Sequence, residues 1–435
     1  MALRDLYSRR RALKSLGAAA GSSMLVTNSQ AAPGGDDDAG LPDDPWGRAR
    51  AQLVLNPRLA YFDTAQFGPT TRAVLAGWYR AEEALHSDPG AFYAERYSSD
   101  VVSRHCQRMA SWLDCNANEI CFTAGVFAGL MQVSQALALQ AGDEVLLTAQ
   151  LPETLQRFWR QQAKVRGLVL KTISLPVPLN NQNEVIAAVE QAISERSRVL
   201  VCSHVQHGDG ALLPLRELCR LASAHGLVSM IDGSLTLGAL QFSVRDLGCD
   251  IYAGSLCHWL NGPQLTGVLF VREALQAALI ADPLNRTEPV LLGNLPDDVS
   301  GWPLLQRRWP RGFVEMAPQF QGAAIALTWQ EAFGRPRIEA RLRELQLYSR
   351  LRLQSIGLQI VTPVVPGMWL QLLSIKPSRR SAVDLAQWLR SNDNVLVSAA
   401  GTQDGLNMLR ISLHLYNSHD EIERLAQGLQ RAARA

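Results

Sequence analysis

The sequence predicts an α/β fold: a large domain with a mainly parallel, mixed sheet covered by helices, followed by a smaller α+β C-terminal domain. Three observations carry this. From about Trp78 onward, short apolar runs rich in β-branched residues alternate with segments of helical periodicity, the pattern of strand–helix–strand units. The last hundred residues change character, opening with a long charged helical segment. At 435 residues, 47% hydrophobic and 19% charged, the chain can bury a large core and is long enough for more than one structural domain.

Element by element, the apolar runs at 119–123, 144–148, 168–173, 199–203, 227–232, 251–253 and 268–271 predict strands. Helical periodicity fills the intervals at 129–139, 155–165, 183–192 and 215–224. Beyond them, 337–355 reads as a long charged amphipathic helix. The stretches 358–361, 368–375, 382–392 and 408–413 form an α+β pattern that closes on a helix at 420–433. No internal repeat is present.

The N-terminus reads as an export signal. Arg9, Arg10 and Arg11 precede a mildly apolar stretch at 15–26, and Ser29-Gln30-Ala31 supplies small residues for cleavage. The run is too short to span a membrane. It resembles the twin-arginine type, with Ala12 where that motif usually has Phe, and implies a periplasmic or secreted protein. Five of the 42 basic residues but one of the 40 acidic ones lie in these first 31 residues, so the remainder is close to neutral. A near-neutral chain has no electrostatic case for nucleic acid or an anionic membrane. Seven cysteines are scattered with no CxxC pair, most inside apolar runs, which suits buried free thiols rather than disulfides or zinc.

Several stretches, in one shared order, resemble the class V aminotransferases, most of all their isopenicillin N epimerase-like branch. They are Tyr61-Phe62-Asp63-Thr64-Ala65-Gln66-Phe67-Gly68-Pro69, Asp88-Pro89-Gly90-Ala91-Phe92-Tyr93, Ser203-His204-Val205 with Gly210, and Ile231-Asp232-Gly233. Leu247-Gly248-Cys249-Asp250-Ile251-Tyr252-Ala253 and Leu409-Arg410-Ile411-Ser412 with Tyr416-Asn417 complete the set. The resemblance implies a fold type I architecture, pyridoxal phosphate as cofactor and a homodimer. Its domains would be a signal peptide at 1–31, a linker at 32–45, an N-terminal segment at 46–77 packing on the small domain, a large domain at 78–325 and a small domain at 326–435.

Pyridoxal phosphate chemistry needs a lysine for the aldimine, an acid for the pyridinium nitrogen, and a helix start with hydroxyls for the phosphate. By resemblance Asp232 is the acid and Arg410 the arginine that grips a substrate carboxylate. The family's Ser-Gly-His-Lys-Trp is here Ser255-Leu256-Cys257-His258-Trp259, so His258 stands in the lysine position. The remaining lysines, Lys14, Lys164, Lys171 and Lys376, lie in unsuitable segments.

The phosphate loop, Asn-Thr-Thr in the family, is Gly125-Val126-Phe127. Gly312-Phe313 replaces a Gly-Thr from the second subunit. Leu235 replaces the partner of the ring hydroxyl, and Gln150 or Pro152 the stacking ring. Gly125, Val126, Phe127, Asp232, Ser255 and His204 thus outline a vestigial cofactor site whose covalent link is expected to be lost. His204, His207 and His258 are placed to converge at the cleft, but with no carboxylate in ligand spacing they predict no metal site.

Three functional readings follow. The first is an exported degenerate enzyme that binds a small molecule, such as a carboxylate, or a partner protein. The second is an enzyme using pyridoxal or pyridoxamine phosphate on an amino-acid-like substrate, with His258 as base in place of lysine. The third, a conventional aldimine enzyme, is disfavoured by the scarcity of lysine.

Overall fold

The computed structural model describes residues 44–96, 98–279, 301–309, 317–400, 405 and 407–434. All lie in the compact unit Asp43–Ala435. The expected signal segment, most of the linker and Gly312-Phe313 fall outside the described residues.

The chain enters through the helix Pro45–Gln52, whose first N–H groups are taken by the Asp44 carboxylate, and then a short strand, β1 (Ala60–Tyr61). Seven strands follow: β2 (Ile120–Thr123), β3 (Glu144–Thr148), β4 (Val169–Ile173), β5 (Ser197–Ser203), β6 (Val228–Gly233), β7 (Ile251–Ser255) and β8 (Gly267–Val271). They form one sheet in the order β2-β8-β7-β6-β5-β3-β4. β3 to β7 run parallel, and β8 lies antiparallel between β7 and β2.

Alternation along the inner strands explains why their central residues are apolar on both faces. Leu146, Leu200, Ile231, Tyr252 and Phe270 bury one face of the sheet, while Val145, Val201, Met230, Ile251 and Leu269 bury the other. The chain passes from β3 out to β4 and then returns to β5 on the opposite side of β3, so the strand order reverses there. The crevice beyond the carboxyl ends at such a reversal is where open parallel sheets place ligands.

The C-terminal part begins with the helices Ala317–Phe333 and Arg335–Ser355. Next come β9 (Gln359–Ile360), β10 (Leu372–Lys376), the helix Ala382–Asp393, β11 (Val395–Leu396), β12 (Ser398–Ala400), β13 (Met408–Ser412) and the helix His419–Arg434. An antiparallel sheet of order β12-β13-β10-β9 packs on these helices. β1 pairs parallel with β11, and Ser412 N–H donates to Phe62 O at 2.8 Å, which stitches the entering chain to this part.

The α/β expectation holds, and the seven expected strands of the large sheet appear within two residues of their places. The strand expected at 368–375 starts only at Leu372, because a turn with Gly367 at φ +84° precedes it. Among the described residues no helix is long and apolar enough to cross a membrane.

Candidate functional site

Asp232 ends β6 beside Ser203, its register partner at the end of β5. Both side chains therefore point to the same face, that of the helix Val126–Ala136. Asp232 is almost fully buried and is held by three donors. Ser203 Oγ donates to Oδ2 at 2.8 Å, His207 Nε2 lies 3.0 Å from the same oxygen, and Ser234 N–H reaches Oδ1 at 3.0 Å. Burial pushes its pKa up, but the hydrogen bond and electrostatic pull of His207, then Ser234 and Ser203, bring it down to about 2. The carboxylate is ionised and already partnered from within the chain.

His258 follows β7 and is partly buried. Its Nδ1 lies 2.8 Å from the carbonyl oxygen of Ser234. A carbonyl only accepts, so Nδ1 carries the proton and Nε2 is left with a lone pair. Burial lowers its pKa to about 4, against a smaller opposing effect of the Ser234 contact, and the ring is neutral near pH 7. The backbone around it is tightly seated: a Cβ on Gly68 would come within 1.8 Å of Cys257 O and 2.2 Å of His258 O. Only glycine lets the loop after β1 pass there. Ser255 Oγ accepts from Cys257 N–H at 3.2 Å and lies 3.2 Å from its Sγ, so this hydroxyl serves the turn locally.

The helix Val126–Ala136 begins at Gly125, which has φ +95°, and no side chain caps it. Thr123 Oγ1 donates to Gly125 O at 2.9 Å. Val126 packs against the core, and Phe127 is 38% exposed, its ring edge-on to Phe158. The helix start therefore offers backbone N–H groups and no hydroxyl. Leu235 is buried in an apolar cluster with Val205, Trp259 and Leu370.

Arg410, on β13, is buried. It donates to His207 O at 3.0 Å and to Ser398 Oγ at 3.1 Å, and its Nη2 lies 3.8 Å from Asp63 Oδ1. Neither Arg410 Nε nor Asp63 Oδ1 has a hydrogen-bond partner among the described residues. Asp63, Ser398 and the His207 carbonyl were not among the sequence candidates. Asp63 sits in a stretch that the resemblance had marked, yet nothing in that stretch indicates what it faces.

The structure brings His207 onto Asp232 and His258 onto the nearby Ser234 carbonyl, and takes the His204 ring away. Tyr252 is the register partner of Ile231, so it faces away from Asp232, and His204 Nδ1 lies 3.0 Å from its hydroxyl. The His204 ring packs edge-on to Phe242 and Tyr252, and burial lowers its pKa to about 3. Gln150 is turned to Asp209, its Nε2 at 3.4 Å from Oδ2 and its Oε1 accepting from Asp209 N–H at 3.2 Å.

The described lysines lie elsewhere. Lys164 is exposed, Lys171 pairs with Glu144 at 2.7 Å at the amino end of β3, and Lys376 ends β10, exposed. No group of three or more histidines, cysteines, aspartates or glutamates among the described residues is placed to hold a metal. The residues around Asp232, with Arg410 on the far side of His207, thus supply an acid, two imidazoles and an arginine, but no primary amine and no hydroxyl at the helix start. That donor set does not match a phosphate ester held as an aldimine.

Comparison with known proteins gives this site a context. The family model for aminotransferase class-V matches residues 64–425. The isopenicillin N epimerase of Amycolatopsis lactamdurans is 28% identical over 403 residues, covering 89% of this chain and 99% of that protein. A probable cysteine desulfurase of Halalkalibacterium halodurans is 27% identical over 345 residues, 73% of this chain and 78% of its own. Among solved structures, a variant of C-DES with glycine covalently linked to its PLP cofactor superposes with a TM-score of 0.75 at 18% identity, covering 88% of this chain and 98% of that one.

Proposed function

The chain belongs to the aminotransferase class-V family, and from that premise we propose that it is an exported, degenerate member that forms no internal aldimine and binds a small carboxylate in the cleft as a homodimer. The observation that carries this reading is the seat of His258. At the turn after β7, where the resemblance puts the lysine, an imidazole is hydrogen-bonded to Ser234 O, and the described lysines lie away from Asp232.

An imidazole cannot form the imine that a primary amine forms with an aldehyde. The phosphate end fares no better, since each lost hydrogen bond to a charged group costs about 1.5–3 kcal/mol. Arg410 supports the carboxylate ligand: its contact with Asp63 is loose at 3.8 Å, and its Nε still lacks a partner. The exposed Phe67, Phe127 and Leu265 support a second copy. Gln264 Nε2 donates to Gly68 O, and Leu265 O lies 3.8 Å from where a Gly125 Cβ would be, which brings together the three chain segments that carry them. Export rests on the N-terminal arginines.

The test is an absorbance spectrum of the purified mature protein with added pyridoxal phosphate, before and after borohydride. We expect no aldimine band and no fixed cofactor; cofactor that borohydride fixes covalently to the protein sinks the reading. The free lone pair on His258 Nε2 favours one alternative, noncovalent use of the cofactor with His258 as base. In that case the spectrum would show a bound band that borohydride does not fix and gel filtration removes.

A further inference from the structure

We infer that His207 is an internal occupant of the place on Asp232 that a ring nitrogen of a ligand would take, so that the acid end of the cleft, away from the proposed carboxylate seat at Arg410, is kept occupied by the chain's own imidazole. This rests on the reading of a degenerate site and says what fills that end.

The His207 side chain is 22% exposed and that of Asp232 is 1% exposed, so the imidazole reaches solvent while the carboxylate does not. Its Nε2 is 3.0 Å from Asp232 Oδ2 and 3.1 Å from Ser234 Oγ. Asp232 Oδ2 also accepts from Ser203, so both lone pairs of that oxygen are used. A protonated pyridine or imidazole nitrogen approaching the same oxygen has to displace His207.

The backbone that carries His207 is clamped by the C-terminal part of the chain, which fixes where the ring starts from. Three successive carbonyls are held. Arg410 donates to His207 O at 3.0 Å, Ser374 Oγ to Gly208 O at 2.7 Å and Thr362 Oγ1 to Asp209 O at 2.6 Å. A Cβ on Gly208 would lie 2.5 Å from Gln150 Oε1, and one on Gly210 2.6 Å from Leu372 Cβ, so the loop fits only in this seat. The occluding ring is therefore built in by the packing of β10 and β13 on the loop.

The experiment uses pyridoxamine 5′-phosphate as probe, because it carries the ring nitrogen and cannot form an aldimine with the protein. Equilibrium dialysis compares wild type with His207→Ala, His207→Ser and His207→Gln. We expect at least tenfold tighter binding by the Ala and Ser variants. His207→Gln, whose amide still reaches Asp232 as a donor, should behave as wild type. Folded Ala or Ser variants that bind no better than wild type overturn the inference, as does a Gln variant that binds as well as they do.

A measurement on wild type stands apart from the folding of any variant. Nitrogen chemical shifts should show a proton on His207 Nε2, and a neutral ring protonated only on Nδ1 overturns the inference. A borohydride-fixed adduct of wild type with pyridoxal phosphate would sink the proposed function instead.

Discussion

Arg410 donates a hydrogen bond to the carbonyl oxygen of His207 at 3.0 Å, while the ring of the same histidine sits on Asp232. One residue thus bridges the two charged groups of the cleft, the acid on the large sheet and the arginine on the small one.

Arg410→Met should be strongly destabilising. Burial raises the pKa of Asp63, with Ser398 and then Arg410 opposing, so removing the cation leaves a buried carboxylate with less compensation. Breaking a close buried pair costs about 3–5 kcal/mol, and although this contact is longer, at 3.8 Å, the change also removes the hydrogen bonds to His207 O and Ser398 Oγ. Urea unfolding measures it, and the double variant Asp63→Asn with Arg410→Met should lose less than the two single losses combined. Simple additivity would show that the two side chains do not interact.

Glu144 supplies a pH-dependent contribution. It accepts from Ser194 Oγ at 2.6 Å and Ser197 Oγ at 3.0 Å and pairs with Lys171 at 2.7 Å. Burial pushes its pKa up, but these partners, Lys171 foremost, bring it down from 4.5 to about 2. A depressed carboxylate pKa stabilises the fold above the unfolded value, and that contribution is lost as pH falls through the folded one. Lys171→Met should therefore lower Tm at neutral pH, and its curve should converge on wild type between about pH 4.5 and 2. A constant offset across that window would show that the pair does not set the acidity of Glu144.

His258→Lys alone should not restore a functional aldimine site. The amine would enter a partly buried seat where desolvation lowers its pKa, yet Val126, Phe127 and Leu235 still offer the phosphate and ring no partners. Transamination by this single variant, followed spectroscopically with an amino acid and a keto acid, would show that the remaining anchors suffice.

Phe67→Asp combined with Leu265→Asp should turn the proposed dimer into a monomer in sedimentation at micromolar concentration. These side chains are 59% and 70% exposed, and apolar exposure of that kind is the feature a second copy would cover. Wild type sedimenting as a monomer would remove the premise.

Changing Arg9 and Arg10 to Lys should leave the protein in the cytoplasm, because lysine does not reproduce the paired planar guanidinium groups that a twin-arginine receptor reads. Cell fractionation decides it, with undiminished periplasmic delivery as the contrary outcome.

The large sheet was legible because its inner strands are covered on both faces and so appear as continuous apolar runs, as at Val199 to Cys202, while the half-exposed edge strand β4 shows in its β-branched residues. The two-residue strands β1 and β11 leave no such run, since their pairing is made by a partner some 330 residues away. Asp232 was legible from its place after an apolar strand. The partners of Asp232 and Arg410 were not. Whether His204 or His207 reaches Asp232 depends on which face the chain takes as it leaves β5, and Asp63 meets Arg410 only after the entering segment has docked on the small sheet.

The free thiols set an order of events for this chain. Cys106, Cys121, Cys202, Cys219, Cys249 and Cys257 are all buried, and Cys115 is partly so. Burial pushes every one of them away from the thiolate form, Cys219 and Cys115 up to about 12. Once folded, the protein presents an oxidant with little to attack. Before folding it presents seven sulfurs, an odd number that no set of internal pairings can use up. For the proposed export, passage through oxidising surroundings is therefore a matter of timing, with the interior sealed before the surroundings change.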